Sequence, residues 1–182
     1  MFPIAPQPSP EPHEQRAQHA RLSVFRRALV AAAVAVLVVK LVWFAVDAMP
    51  LFYMGDSRAY INSALWHRPL TDRSNTYGWL VWAFAVVPRS LTTLVLAQTL
   101  AGAATAWLLA VILLRFFKVH PAITVSAAVV LAGEPLQMLY ERMVLTESFT
   151  ILLLVVYTLL SLSYLVRPRL VMLVAIAGGL PS

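Results

Sequence analysis

The segment YMGDSRAY, residues 53–60, places an Asp and an Arg two positions apart immediately after the first long apolar run of the chain. A carboxylate at Asp56 could act as a general base. Gly55 lets the backbone turn, and a membrane interface lowers the local dielectric, which brings a carboxylate's pKa toward a useful range. Asp56 reads equally as a cap on a helix that starts near Ser57. Arg58 and Arg73 lie in the same polar segment, and a guanidinium matches a phosphate in bidentate fashion. Either could hold a lipid phosphate, make an ordinary headgroup contact, or pair with Asp56 or Asp72.

A second group sits in YERMVLTES, residues 140–148. Thr146 can serve as an N-cap with Glu147 in the first turn, where the helix dipole favours negative charge. Glu141, beside Arg142 and one turn after Gln137, has no such capping role. Glu134 falls near a membrane boundary, where a charge is unfavourable unless used. Both are candidates for substrate or metal contact. Lys40 and Asp47, seven residues apart, share roughly one helical face, and Lys40 reads as a snorkelling side chain. The four histidines are scattered without metal-ligand spacing, and only His67, in the polar segment, draws interest. With no cysteine, a disulfide framework, a thiolate metal site and a Cys nucleophile are excluded. No Gly-rich phosphate loop or Ser-His-Asp arrangement is present.

The elements that must position these residues are membrane helices. The chain has 182 residues, 60% hydrophobic and 12% charged, with a mean hydropathy of +0.78, far more apolar than a soluble domain. The net charge of +6 comes from basic residues at the ends of apolar runs rather than a patch interleaved with aromatics, so nucleic acid is not expected as a partner. The pattern predicts an all-α polytopic membrane protein. A disordered cytoplasmic tail is expected over 1–25, followed by spans over 28–49, 91–114, 121–140, 148–166 and 170–182, the last incomplete. The first span is read as a retained anchor rather than a cleaved leader. Pro135, just after Glu134, predicts a third span that is broken near its outer end. Residues 50–90, rich in Trp and Tyr, are predicted to form a long outer loop on the membrane, with a short helix whose apolar side carries Tyr60, Ile61, Ala64 and Leu65.

Basic residues place the N-terminus in the cytoplasm. Asp47, Asp56, Asp72, Glu134, Glu141 and Glu147 then all fall on the outer side, a gathering that insertion rules alone do not explain. The chain halts within its fifth apolar run, so it reads as an N-terminal fragment whose C-terminal part, or a partner chain, is missing.

The ordered set GDSRAY, DRSNTYGWL, AQTLAG and YERMVLTESFTILLL resembles the polytopic GT-C glycosyltransferases. That superfamily includes the dolichyl-phosphate-mannose protein mannosyltransferases and bacterial transferases that use polyprenyl-phosphate sugars. The resemblance runs from about Arg26 to the C-terminus; its motifs are individually weak and their order carries it. It implies an inverting transferase of the bacterial inner membrane that moves a sugar from a polyprenyl-phosphate donor to an acceptor hydroxyl on the outer face, amid membrane lipids. Asp56 would be catalytic. Arg58, Tyr60, Arg73, Tyr77, Glu141, Arg142 and Glu147 would contact substrate, with or without a divalent cation such as Mg or Mn held by carboxylates. Two other readings stand beside it: a transporter subunit with Lys40, Asp47 and Glu134 along a path, and a non-catalytic scaffold or truncated product.

Overall fold

The computed structural model describes residues 12–68 and 75–168, and these are helical throughout apart from connecting turns. Helix α1 spans Pro12–Val46. Two short helices follow, α2 over Met54–Trp66 and α3 over Asn75–Val81, the latter continuing as a π-helical turn over Trp82–Val86. Then come α4 (Leu91–Arg115), α5 (Pro121–Ala132), α6 (Pro135–Arg142) and α7 (Glu147–Val166). One isolated bridge, Leu51 with Met143, is the sole β pairing among the described residues.

Three stretches are long and apolar enough to cross a membrane, His19–Val46, Leu91–Arg115 and Glu147–Val166. A fourth crossing results if α5 and α6, bent by 47° at their junction, form one broken span. The break expected near Pro135 is therefore present. Glu134 is its hinge and the N-cap of α6, accepting hydrogen bonds from the backbone of Leu136 (3.1 Å) and Gln137 (2.6 Å). The fifth run expected over 170–182 lies outside the described residues.

Helix α1 starts well inside the segment expected to be a disordered tail. Pro12 suits a first helical position, and Glu14 to Gln18 are strong helix formers, so propensity carries the helix upstream of its apolar part. Over residues 19–46 of α1 the buried positions are a narrow stripe, Ala28, Ala32, Val36 and Lys40 at a spacing of four, while Val30, Val34, Val38 and Val42 stay exposed. That is the pattern of a helix with one face on its bundle and the others toward lipid. Helix α4 is central and packs on α1, α5, α6 and α7. Ala103, Ala106 and Ala110 of α4 meet Ala32, Ala128 and Ala132 in one cluster. Such small residues let helices approach closely where lipid offers no hydrophobic drive to association.

Residues 50–90 do more than lie along a surface. Tyr60 and Ala64 of α2, Tyr77 and Val81 of α3 and Ala85 of the π turn form a core with Leu94, Val144 and Leu145. The buried face of α2 is Ser57, Tyr60, Ser63 and Ala64, so Leu65, expected to be part of it, faces outward instead. The reason is a long-range bond: Ser57 turns inward to donate to the Val144 carbonyl, and the buried face of the helix includes it. Gly78 permits this packing, because a Cβ there would stand 2.8 Å from Ser63 Oγ. This end, where α2 and α3 sit, is the loop-bearing end; Arg26, Arg27, Arg115 and Lys118 mark the opposite, basic end.

Candidate functional site

The node of the loop-bearing end is Gln98, 0% exposed in the upper part of α4. Its Nε2 donates to the carbonyls of Met143 (2.8 Å) and Leu145 (3.2 Å) and lies 3.4 Å from the Tyr77 hydroxyl. An uncharged amide can satisfy several partners here without the desolvation penalty of an ion. Ser57 provides the second tie. Its Oγ accepts from Tyr53 N (2.8 Å) and donates to Val144 O (3.1 Å). The chain leaving α1 joins in as well, with Leu51 N donating to Arg142 O (2.8 Å) and Val144 N to Leu51 O (3.2 Å). The 143–146 segment is thus held from α2, α4 and the α1–α2 connection at once.

Aromatic packing completes this cluster. The rings of Tyr60 and Tyr77 meet edge to face at 4.8 Å, and Tyr77 lies 6.2 Å from Phe149, a geometry the ring quadrupoles favour. Burial, reinforced by the nearby charge of Glu147 and by Tyr60, pushes the Tyr77 hydroxyl well above its ordinary pKa, so it stays protonated. Three polar atoms of the node have no hydrogen-bond partner among the described residues: Gln98 Oε1, Glu147 Oε2 and Ser148 Oγ. Asp56 sits partly buried in the first turn of α2, next to Ser57. It is not the N-cap: that position is Tyr53, and no side chain caps it. Arg58 is exposed on the same helix. Arg73 and Asp72 lie outside the described residues.

No family model, no curated protein and no solved structure matches this chain.

On the far side of the 143–146 segment the polar groups are ionic. Lys40 is 0% exposed and Glu141 3%, and the two are joined in a salt bridge between α1 and α6. The expectation that Lys40 snorkels is corrected by this pair: a carboxylate within the bundle gives the ammonium a partner it would otherwise seek at the interface. Gly102 of α4 makes room for it, since a Cβ at that position would strike the Glu141 carboxylate. Arg142 bridges Asp47 in a second, more exposed pair. These four charges line a crevice of about 10 Å³, roughly the room of one water.

Of the residues expected to form a site, the structure gathers Tyr60, Tyr77 and Glu147 around the neutral node, with Asp56 beside it, and sets Glu141 and Arg142 in the ionic junction. Among the described residues no three His, Asp or Glu side chains gather into one set that could hold a metal ion. His67 stacks on Trp79 at 5.2 Å and meets Trp82 edge-on at 5.9 Å. Sequence reading missed Gln98, Gly102 and the role of Ser57. A Gln and a Gly four residues apart inside an apolar helix were the available signal, because polar groups within a membrane segment are unfavourable unless used.

Proposed function

We propose that this chain is a membrane glycosyltransferase of the GT-C kind, which moves a sugar from a polyprenyl-phosphate donor to an acceptor hydroxyl at its loop-bearing end. The observation that supports it is convergence. GDSRAY, NTYGW, AQTLAG and ERMVLTES are scattered over some ninety residues, yet Ser57, Tyr77, Gln98 and the 143–145 carbonyls tie them into one hydrogen-bonded node. A lipid-facing scaffold has no need of such a node, and its unpaired atoms on Gln98, Glu147 and Ser148 suit a polar substrate.

In this reading Asp56 takes the proton of the acceptor hydroxyl as that oxygen bonds to the anomeric carbon. The bond from the anomeric carbon to the phosphate oxygen breaks, its electron pair leaves on the lipid phosphate, and the configuration inverts. The phosphate is a stable anion and needs no strong acid. Arg58, two residues from the base, neutralises it together with Arg142, whose guanidinium Asp47 orients. Arg73 is assigned the same part. Tyr60 and Tyr77 form the wall that excludes water. Glu141, held by Lys40, positions α6 and does not touch substrate. In this reading the membrane is a bacterial inner membrane in which the donor's polyprenyl tail remains, and the placement of basic residues supports an outward-facing loop-bearing end with the N-terminus in the cytoplasm.

The test is a donor comparison with the full chain in liposomes. Labelled sugar should pass to acceptor from a polyprenyl-phosphate donor and not from a nucleotide sugar. Transfer from the nucleotide sugar alone would overturn the donor class, and transfer from neither would overturn the reading.

A further inference from the structure

At the basic end, α1 and the turn between α4 and α5 enclose an open cleft of about 450 Å³. Val24, Phe25, Leu114 and Val119 form its walls, and Arg21 and Lys118 stand at them as two exposed cations. Neither cation has a carboxylate partner among the described residues, where both ion pairs lie at the other end. Lys118 is held by a defined turn, with its own φ at 51° and Val119 N bonded to Leu113 O at 3.1 Å. Sharing the Phe25 ring is a second trough of about 220 Å³, lined by the apolar Leu29, Val30, Ala33 and Trp107 with Arg26 at it. From Phe25 to Ala33 is eight residues of helix, roughly 12 Å toward the middle of the span. Trp107 closes the trough by donating from Nε1 to Leu29 O at 3.3 Å.

A charged cleft that shares the Phe25 ring with a mostly apolar trough matches an amphiphile. A free phosphate would use the cations and leave the apolar walls unfilled, and an acyl chain alone would leave the cations idle. Basic pockets between membrane helices hold anionic headgroups for this reason, and a phosphate accepts charge-assisted hydrogen bonds from both Arg and Lys.

We propose that this cleft binds an anionic phospholipid of the surrounding bilayer, its phosphate on Arg21 and Lys118 and one acyl chain in the trough between Phe25 and Trp107. The site is independent of the chemistry at the loop-bearing end. It fastens α1 to the α4–α5 turn, a place with charge but no ion pair among the described residues.

The full chain, stripped of lipid in neutral detergent, is titrated with phosphatidylglycerol or phosphatidylcholine of identical acyl chains, and bound lipid is counted by native mass spectrometry. One phosphatidylglycerol should bind in preference to phosphatidylcholine. Arg21→Gln with Lys118→Gln should weaken it about 30-fold, taking two cations at roughly the per-residue attraction known for basic residues at anionic surfaces. Arg167→Gln removes a cation at the same end outside the cleft and should leave binding unchanged. Ala33→Trp fills the trough on a lipid-facing helix and should weaken binding while helicity is kept. Glycerol phosphate, the headgroup without chains, should compete poorly. Equal affinity for the two lipids, retained binding in the double variant or in Ala33→Trp, or an equal loss in Arg167→Gln would overturn the proposal.

Discussion

Two polar clusters flank the 143–146 segment and are built on opposite principles. On one side Gln98, Ser57 and Tyr77 hold backbone carbonyls through neutral hydrogen bonds and leave some polar atoms unpaired. On the other, Lys40 and Glu141 are ions taken fully out of solvent and closed on one another. A closed buried ion pair contributes little net stability but makes its geometry hard to change, because either partner alone is an uncompensated charge. A neutral amide node can exchange partners at small cost. The difference teaches a division of labour: the Lys40–Glu141 pair fixes α6 against α1 and α4, and under the proposed function the neutral node next to it is where the polar substrate is met.

The contrast breaks most visibly at the ionic junction. Glu141→Ala should lower stability by about 3–5 kcal/mol, the loss expected when one partner of a buried pair is removed. Thermal unfolding of the detergent-solubilised protein would measure it. Lys40→Met combined with Glu141→Leu should recover most of that loss, and a double variant as unstable as the single one would show that the pair is not the cause. A middle effect is expected at the node, where Gln98→Leu leaves the Met143 and Leu145 carbonyls without their donor. About 1–3 kcal/mol should be lost, together with sugar transfer, since the 143–146 segment would no longer be tied to α4. The smallest effect belongs to the outer ion pair. The Asp47 side chain is 45% exposed, so Asp47→Asn should change stability by less than about 1 kcal/mol, with any effect screened by salt.

Much of the helical architecture was legible in the residues. Apolar runs of spanning length and the break at Glu134-Pro135 follow from local chemistry that tertiary packing does not reverse, and α7 opens at Glu147 as read, although the Thr146 side chain makes no cap bond there. The start of α1 was not read correctly, since proline and polar residues near an N-terminus suggest disorder, while the helix formers between them favour extension. The buried face of α2 was missed by a rotation, because the apolar pattern of Tyr60, Ile61, Ala64 and Leu65 says nothing of a Ser57 hydrogen bond to a carbonyl 87 residues away. Lys40 shows the same limit more sharply. A lysine near the end of a span reads as snorkelling unless its partner, 101 residues on, is known. Long-range pairing of single polar groups has no period and leaves no local mark.

The central claim is that Asp56, beside the neutral node, activates the acceptor. It is tested most directly by the sugar-transfer rate of Asp56→Asn in the full chain with a polyprenyl-phosphate donor, at matched expression and unfolding temperature. Loss of a positioned general base should slow transfer by roughly a hundred- to ten-thousandfold while donor binding is retained. Transfer at the parent rate would contradict the account.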